Sequence, residues 1–463
     1  MKKKWVVIGI SFITVVTGGM ISAFQKSAYS DVLDSAAPNT SAVILTKDIY
    51  VSPSGNDNNP GTVDAPLANI QTAIDAVLPG GTVFLEGGVY HQTVKIQKSG
   101  SESEGFITLR SAEGEHAILD GTGVKVDTEG ICFIIDASYV QVQDIEMRNY
   151  RTEQAGTVPI GIFVKGASHH IGISGNIIHD MGTDFQGLNG GDAHGIAVYG
   201  TSDSPQHDIF IDFNELYNLK LGSSEALAIN GNVDGFRVVS NSIHDNNNIG
   251  IVIIGFEGVS PDPANDRARN GVIRQNHVYN ISSYRNPAYG NQYAAAGIYV
   301  DGGTKVSIED NDIHDNDYGL ELASEHAGGK TSEVEALHNR IYHNRASGIS
   351  LGGYDEHRGS TLNCVIQENE LIYNNANHLG YGELNLAFDT RSNQIINNQI
   401  KANEDGLMIT NEFTQNVGNT IDYNVYSSKG NPQWSWKGEK FNDFVTFMKK
   451  TGNDLHSSIK LIK

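Results

Sequence analysis

Five carboxylates, Glu225, Glu257, Asp301, Glu321 and Glu325, interrupt an otherwise repetitive sequence, and Tyr299 and His326 lie beside them. Carboxylates gathered at one place repel one another, so one is expected to hold a proton near neutral pH while another stays charged. That division supplies an acid and a base, the pair that splits an acetal link. Asp301 with Glu321 or Glu325 is the expected pair. The same oxygens could instead cage a calcium ion, which takes several oxygen ligands. Glu225, Asp234 and Glu257 are the candidate metal ligands. A cation that gripped a uronate would acidify its C5 proton, and a base drawn from Lys220, Tyr299 or His326 would complete a β-elimination. A third reading of these residues is a solvated acidic face.

Such residues act together only if the chain brings them to one face, and a repeat does this. The phrase Asn-x-(Ile/Val/Leu) recurs at Asn176, Asn214, Asn241, Asn276, Asn311, Asn339, Asn369 and Asn398, and a variant follows at Asn424. The spacings are 38, 27, 35, 35, 28, 30, 29 and 26 residues. Between the copies falls Gly-Ile-x-Val or a close relative, at Gly161, Gly195, Gly250, Gly297, Gly319 and Gly348. These stretches alternate with period two and are too short for helices. One unit cannot bury its apolar face alone, but stacked units share a continuous core. The sequence therefore predicts an all-β solenoid, a parallel β-helix of about ten or more rungs, with insertions at its corners. The 51 glycines against 11 prolines suit the tight corners such a coil needs.

Aligning the strands with Ile162, Ile196, Leu227, Ile251, Ile298, Leu320, Ile349 and Leu384 inward sets the outward residues. Lys165, Tyr199, Asn230, Tyr299, Asp301, Glu321 and Ser350 then face out, where polar groups have no core to satisfy and are free for substrate. Two long insertions, Asp180 to His194 and Phe256 to Ala296, flank these rungs. The second carries Tyr284, Tyr289 and Tyr293, aromatic faces suited to stacking on sugar rings or to packing the loop down. Lys165, Tyr199, Asn230 and the three tyrosines are the candidate substrate-binding residues. The pairs His179-Asp180, His244-Asp245 and His314-Asp315 share one phase of the repeat. They read as turn residues, and the asparagine column reads as a ladder of amide hydrogen bonds.

The flanks read as caps. Leu67 to Val77 has helical spacing and would cover the first rung, whose open edge invites aggregation. Lys440 to Lys450 places Phe441, Phe444, Val445 and Met448 on one helical face and would close the last rung. At the start, Lys2, Lys3 and Lys4 precede an apolar run from Trp5 to Ala23, the pattern of a secretory signal. Its removal takes the formal net charge from −22 to about −26. So acidic a chain disfavours nucleic acid and anionic membranes as partners, and polyanionic glycans unless a cation is bound. Cys132 and Cys364, the two cysteines, lie in apolar strand-like runs and are expected to be buried free thiols. The expected organisation is a signal peptide at 1–30, a linker at 31–47, an N-terminal cap with the first rungs at 48–121, the β-helix core at 122–428 and a C-terminal cap at 429–463.

The stretch from Ile49 to Gly121, reading IYVSPSGNDNNPGT, GGTVFLEGGVYHQTVKI and ILDG, resembles the opening module of secreted right-handed β-helix carbohydrate enzymes. It is most similar to family 9 polysaccharide lyases, and the ending TGNDLHS resembles the tail of such proteins. The resemblance implies a right-handed coil and a secreted, extracellular or cell-surface enzyme. It implies cation-assisted β-elimination on a polysaccharide or oligosaccharide, with Ca2+ as the cofactor and a monomer as the working form. That family builds its calcium site on an Asp-Asp-Gly-aromatic-Asp run and uses a strand lysine as base. Here the corresponding strands read NNIGIVI from Asn247 and SGISLGG from Ser347, with no aspartate pair and with Ser350 in place of the lysine; Asp234-Gly235-Phe236 keeps only a fragment. A glycoside hydrolase and a non-catalytic glycan-binding surface protein are the alternatives.

Overall fold

Every strand is short, seven residues at most, because a corner residue interrupts each period-two apolar run. The structure, a computed structural model, describes residues 47–127, 129–187 and 190–460; the expected signal segment and most of the linker lie outside them. Corners are turned by left-handed backbone at residues that tolerate it, among them Asp144, Asp180, Asn218, Asp245, Asn280 and Asp315. The result is three long sheets, one of 16 strands and two of 13, parallel except where Gln433–Trp436 meets Glu439–Phe441, with successive rungs adding strands to each. This is a right-handed parallel β-helix. No helix among the described residues is long and apolar enough to cross a membrane.

Register follows the apolar alternation. Ile162, Ile196, Leu227, Ile251, Ile298, Leu320, Ile349 and Leu384 pair in succession and form one fully buried column. A one-residue slip anywhere would turn the apolar side outward, so the pairing is strongly specified.

The asparagine column forms the expected ladder. Asn176, Asn214, Asn241, Asn276, Asn311, Asn339, Asn369 and Asn398 each donate a side-chain N–H to the amide oxygen of the next, ending on Asn424. Asp454 of the TGNDLHS tail, fully buried, closes this column by accepting from Asn424 and from the Tyr426 hydroxyl. His179, His244 and His314 each bond their following aspartate at 2.6–2.7 Å. Their rings stack alternately with Tyr217, Tyr279 and Tyr342 at 4.6–5.2 Å, so the Ile-His-Asp phrases belong to the scaffold.

A second ladder runs from Asn316 through Asn344 to Asn374 and ends on Glu383, whose carboxylate accepts from the Asn374 backbone and side-chain N–H at 3.1 and 2.6 Å. Burial pushes Glu383 up to about 8. Between its ordinary value of 4.5 and about 8 the unfolded chain releases this proton while the folded chain keeps it, so stability falls as pH rises through that window. Glu383→Gln keeps an acceptor for Asn374 and has no proton to lose. It is expected to unfold like the parent at pH 4 and about 1–3 kcal/mol later at pH 8.5, read by urea denaturation at both values.

The caps differ in detail from the sequence reading. The first helix, α1 (Ile70–Ala76), begins only at Ile70 because Asn69 caps it, accepting from the Thr72 N–H. The last helix, α2 (Phe444–Thr451), starts after its cap Asp443, later than the apolar spacing suggested. That shift rotates the buried face. Phe447 is the anchor, stacked 5.4 Å from Trp434, whereas Val445 is exposed and Phe441 belongs to the preceding strand Glu439–Phe441. Cys132 and Cys364 are buried free thiols.

Candidate active site on the loop-covered sheet

The sheet running through His194–Gly200, Leu227–Gly231, Ile251–Ile254, Ala296–Asp301 and Tyr318–Ala323 carries the outward residues in the expected register. Tyr299 lies opposite Glu321, and Asp301 two residues further along lies opposite Ala323. Their surroundings differ from expectation. Asp301 is 5% exposed, Glu321 2%, and Tyr299 and Asn230 1% each, because the insertions fold down over this face. Asp301, Glu321, Tyr299 and Asn230 are therefore covered, while Glu257 and His326 beside them stay open to solvent.

Two aspartates fasten the covering chain. Buried Asp317 accepts from the backbone N–H groups of Ser283, Ala294 and Ala295 at 2.8–3.1 Å, pinning both ends of the tyrosine loop. Asp266 accepts from the N–H groups of Gly258 and Ser260, which fixes the turn that presents Glu257. Tyr289 is thereby held over the site, accepting a hydrogen bond from Asn248 at 3.3 Å.

The carboxylates converge. Asp301 accepts from the Glu325 N–H at 2.8 Å, and Glu257 accepts from the Asn230 amide at 2.7 Å. Glu257 also lies 3.8 Å from His326 Nε2. One oxygen each from Glu257 and Asp301 and one nitrogen of His326 all lie within 4.8 Å of one another. Burial, and then the charges of Glu325 and Glu257, hold Asp301 well above the usual carboxylate range. Burial and the neighbouring Glu257 and Asp192 do the same to Glu225. Glu321 is pushed up to about 8 by burial and Glu325. Burial also raises Glu325, against the pull of Arg358 and His326. The neighbouring Glu257 carboxylate raises His326. Glu321, at about 8, therefore keeps its proton at neutral pH, and burial opposes ionisation of Asp301, Glu225 and Glu325.

Some buried polar atoms here have no partner among the described residues, namely the Tyr299 hydroxyl, Asn230 Oδ1 and Arg358 Nε. Buried polar groups are almost always satisfied, so three orphans around one carboxylate cluster mark a place shaped for something polar.

Other expected site residues are placed elsewhere. Lys220 sits across the chain in an ion pair with Asp184, so its ammonium is committed there. Asp234 begins a strand of a different sheet and is bonded to Arg269 at 3.0 Å, away from the other proposed ligands. Tyr284 and Tyr293 stack on each other at 4.8 Å, packing down their own loop. Lys165 lies over the Phe163 ring at the edge of the face. Tyr199 donates to His194 Nε2 at 3.3 Å. Tyr299, Tyr199 and Tyr289 are all raised by burial, which removes them as bases near neutral pH.

Four site residues escaped the sequence reading, namely Asp192, His194, Tyr354 and Arg358. His194 donates from Nδ1 to the Glu225 carbonyl at 3.0 Å, and burial keeps it neutral. Asp192 accepts from the Ser223 and Ser224 hydroxyls. Tyr354 reaches Glu321 from the short insertion after Gly353, which also carries Arg358. That insertion was the available signal, since it separates strand Ser347–Leu351 from the next corner as the longer ones do.

Residues 49–255 match the family model "Pel9A-like, right handed beta helix region", and residues 266–438 match "Right handed beta helix region". An uncharacterized Bacillus subtilis protein, YwoF, is 40% identical over 414 residues, covering 88% of this chain and 86% of that one. Pectate lyase PEL9 of Emericella nidulans is 38% identical over 159 residues, 31% of this chain and 37% of the lyase. Among solved structures, the GH136 lacto-N-biosidase of Eubacterium ramulus superposes with a TM-score of 0.55 at 16% identity, over 90% of this chain and 68% of that one. This last likeness is one of fold.

Proposed function

The chain belongs to the right-handed β-helix proteins, its N-terminal part matching the Pel9A-like model, and on that premise we propose that it is a carbohydrate-active enzyme cleaving glycosidic bonds in an extracellular polysaccharide or oligosaccharide. One observation carries the reading: buried Asp301 and solvent-exposed Glu257 lie side by side, in different environments. Asp301, kept protonated by burial and by its acidic neighbours, donates a proton to the leaving oxygen. Glu257, gripped by the Asn230 amide and faced by His326, carries the negative charge to the anomeric carbon. Their nearest oxygens lie within 4.8 Å, the close spacing of enzymes that attack directly by carboxylate, where the paired groups stand about 5–5.5 Å apart. Hydrolysis with retained anomeric configuration follows, Asp301 then serving as base toward the incoming water. Glu321 and Glu325 keep the field around Asp301 acidic.

A second reading, elimination, is favoured by the lyase relative and by the donor set of Glu257, Asp301 and His326. Two of these offer oxygen, and atoms within 4.8 Å of one another can each approach a cation at about 2.3–2.6 Å. When bound, Ca2+ or a similar ion would neutralise a uronate carboxylate and acidify the adjoining C–H. In that case the ion would rest on the Glu257 and Asp301 oxygens, leaving the His326 nitrogen as the base at hand, since Lys220 is tied to Asp184. Secretion through residues 1–30 and action as a monomer form part of this proposal.

A panel of neutral and uronate polysaccharides, with and without chelator, separates the two. Hydrolysis is expected to release saturated reducing ends at the same rate in chelator. A near-ultraviolet product that vanishes in chelator would replace hydrolysis by elimination. Binding to a glycan with no cleavage of any would overturn both.

A further inference from the structure

The 16-stranded sheet, which does not carry the acidic pocket, presents a histidine group unrelated to the glycan chemistry. Strands His169–Ser174 and His207–Asp212 are parallel neighbours with His169 opposite His207, and His170 follows on the first. One ring nitrogen from each of the three lies within 4.8 Å of the others. We propose that His169, His170 and His207 form a binding site for a first-row divalent transition-metal ion, clamping two successive rungs together.

The ring contacts carry the argument. His169 Nδ1 and His170 Nδ1 are 2.9 Å apart. Two neutral imidazoles at that distance share a single proton, and the same spacing is that of two adjacent ligands at about 2.1 Å from one ion. His207 bonds Asp208 through Nδ1 at 2.7 Å, which leaves Nε2 as its ligand atom. A carboxylate behind a ligating histidine is the usual orienting partner, fixing the tautomer and strengthening the donor. Tyr139 stacks on His170 at 4.4 Å and holds its ring. The rings of His169 and His207 are parallel at 4.7 Å, so His207 must tilt to share an ion. Its side chain is 42% exposed and has room to do so. The set ends with these two rungs, because in the next Asp234 is taken up by Arg269. Three imidazoles select zinc, nickel or copper over calcium, which distinguishes this group from the carboxylate pocket.

Isothermal titration of the untagged full chain with Zn2+ and Cu2+, with Cu2+ electron paramagnetic resonance, tests the proposal. One equivalent of Cu2+ with coupling to more than one imidazole nitrogen is expected, and saturating Zn2+ should raise the thermal midpoint by several degrees. The double variant His170→Asn/His207→Asn should lose at least tenfold in affinity while its metal-free circular dichroism and melting match the parent. His207→Ala alone, at a half-exposed position, should weaken binding in the same direction. Unchanged affinity in these variants overturns the proposal, as does binding that is lost in His326→Asn instead.

Discussion

Asp301→Asn is expected to lower kcat/KM on the preferred glycan by about 10²–10⁴-fold, the usual worth of a positioned acid, without loss of fold. The folded state survives because the native carboxyl is buried where burial and acidic neighbours already oppose its charge. Asparagine still offers an oxygen to the Glu325 N–H that Asp301 accepts at 2.8 Å. The variant sheds a group raised well above the ordinary carboxylate range, whose ionisation opposes folding as pH rises above that range. Its thermal midpoint at pH 8 should therefore equal or exceed the parent's. The activity loss should depend on the leaving group. An aryl glycoside that departs without a proton should lose far less in Asp301→Asn than the natural glycan does. Glu257→Gln should lose both alike, since its carboxylate is needed at the anomeric carbon whatever leaves. With acids raised as Asp301 and Glu321 are, the parent's rate should fall on the alkaline side as their protons leave. Equal losses on the two substrates in Asp301→Asn would remove it as the acid, and intact cleavage in both variants would move the site elsewhere.

The part of this site that was legible in the sequence is the part that local periodicity encodes. Alternation along Gly297–Asp301 and Gly319–Ala323 fixes which side chains face outward, and stacking makes Tyr299 and Glu321 neighbours although twenty-two residues separate them in the chain. Corners are legible for a similar reason, since only residues such as Asp and Asn turn them cheaply. What the insertions do is not periodic. No local pattern says that Asp317 will pin Ser283 and Ala295, 34 and 22 residues away, or that Asp266 will fix the turn that presents Glu257, within a loop of irregular length. The outward face is accordingly covered at Asp301, Tyr299 and Glu321, where the repeat alone leaves it open. Lys220 was misplaced by the same blindness, because its partner Asp184 sits in an insertion whose path the repeat does not set. At the C-terminal cap the error was one of phase. The apolar spacing was read from Lys440, while Asp443 as cap delays the helix and puts Phe447 in the core.

A solenoid has no distant contacts to fall back on, so its internal ladder should be its most sensitive element. Asn311→Ala is expected to cost about 3–6 kcal/mol, far more than an asparagine on a surface turn. Asn311 Oδ1 accepts from both the backbone N–H and the side chain of Asn276, at 2.9 and 3.0 Å. Its own amide donates to the Ile273 carbonyl and to Asn339. Removing the side chain orphans two donors on Asn276 and the Ile273 carbonyl, in a column where these asparagines are about 1% exposed. Each buried group left without a partner costs about 1–3 kcal/mol. Asn311→Asp should recover part of the loss, because it still accepts from Asn276 but has no N–H for Ile273 or Asn339. The damage should also be local, since each rung touches only its neighbours. Amide exchange in Asn311→Ala should quicken first in strands Arg269–Arg274, Thr304–Glu309 and Glu335–Leu337, while the rungs near Ile107–Ser111 keep the parent's protection. Uniform acceleration along the whole coil would instead mean that the rungs open together, and the ladder would then be only one contributor to a global transition.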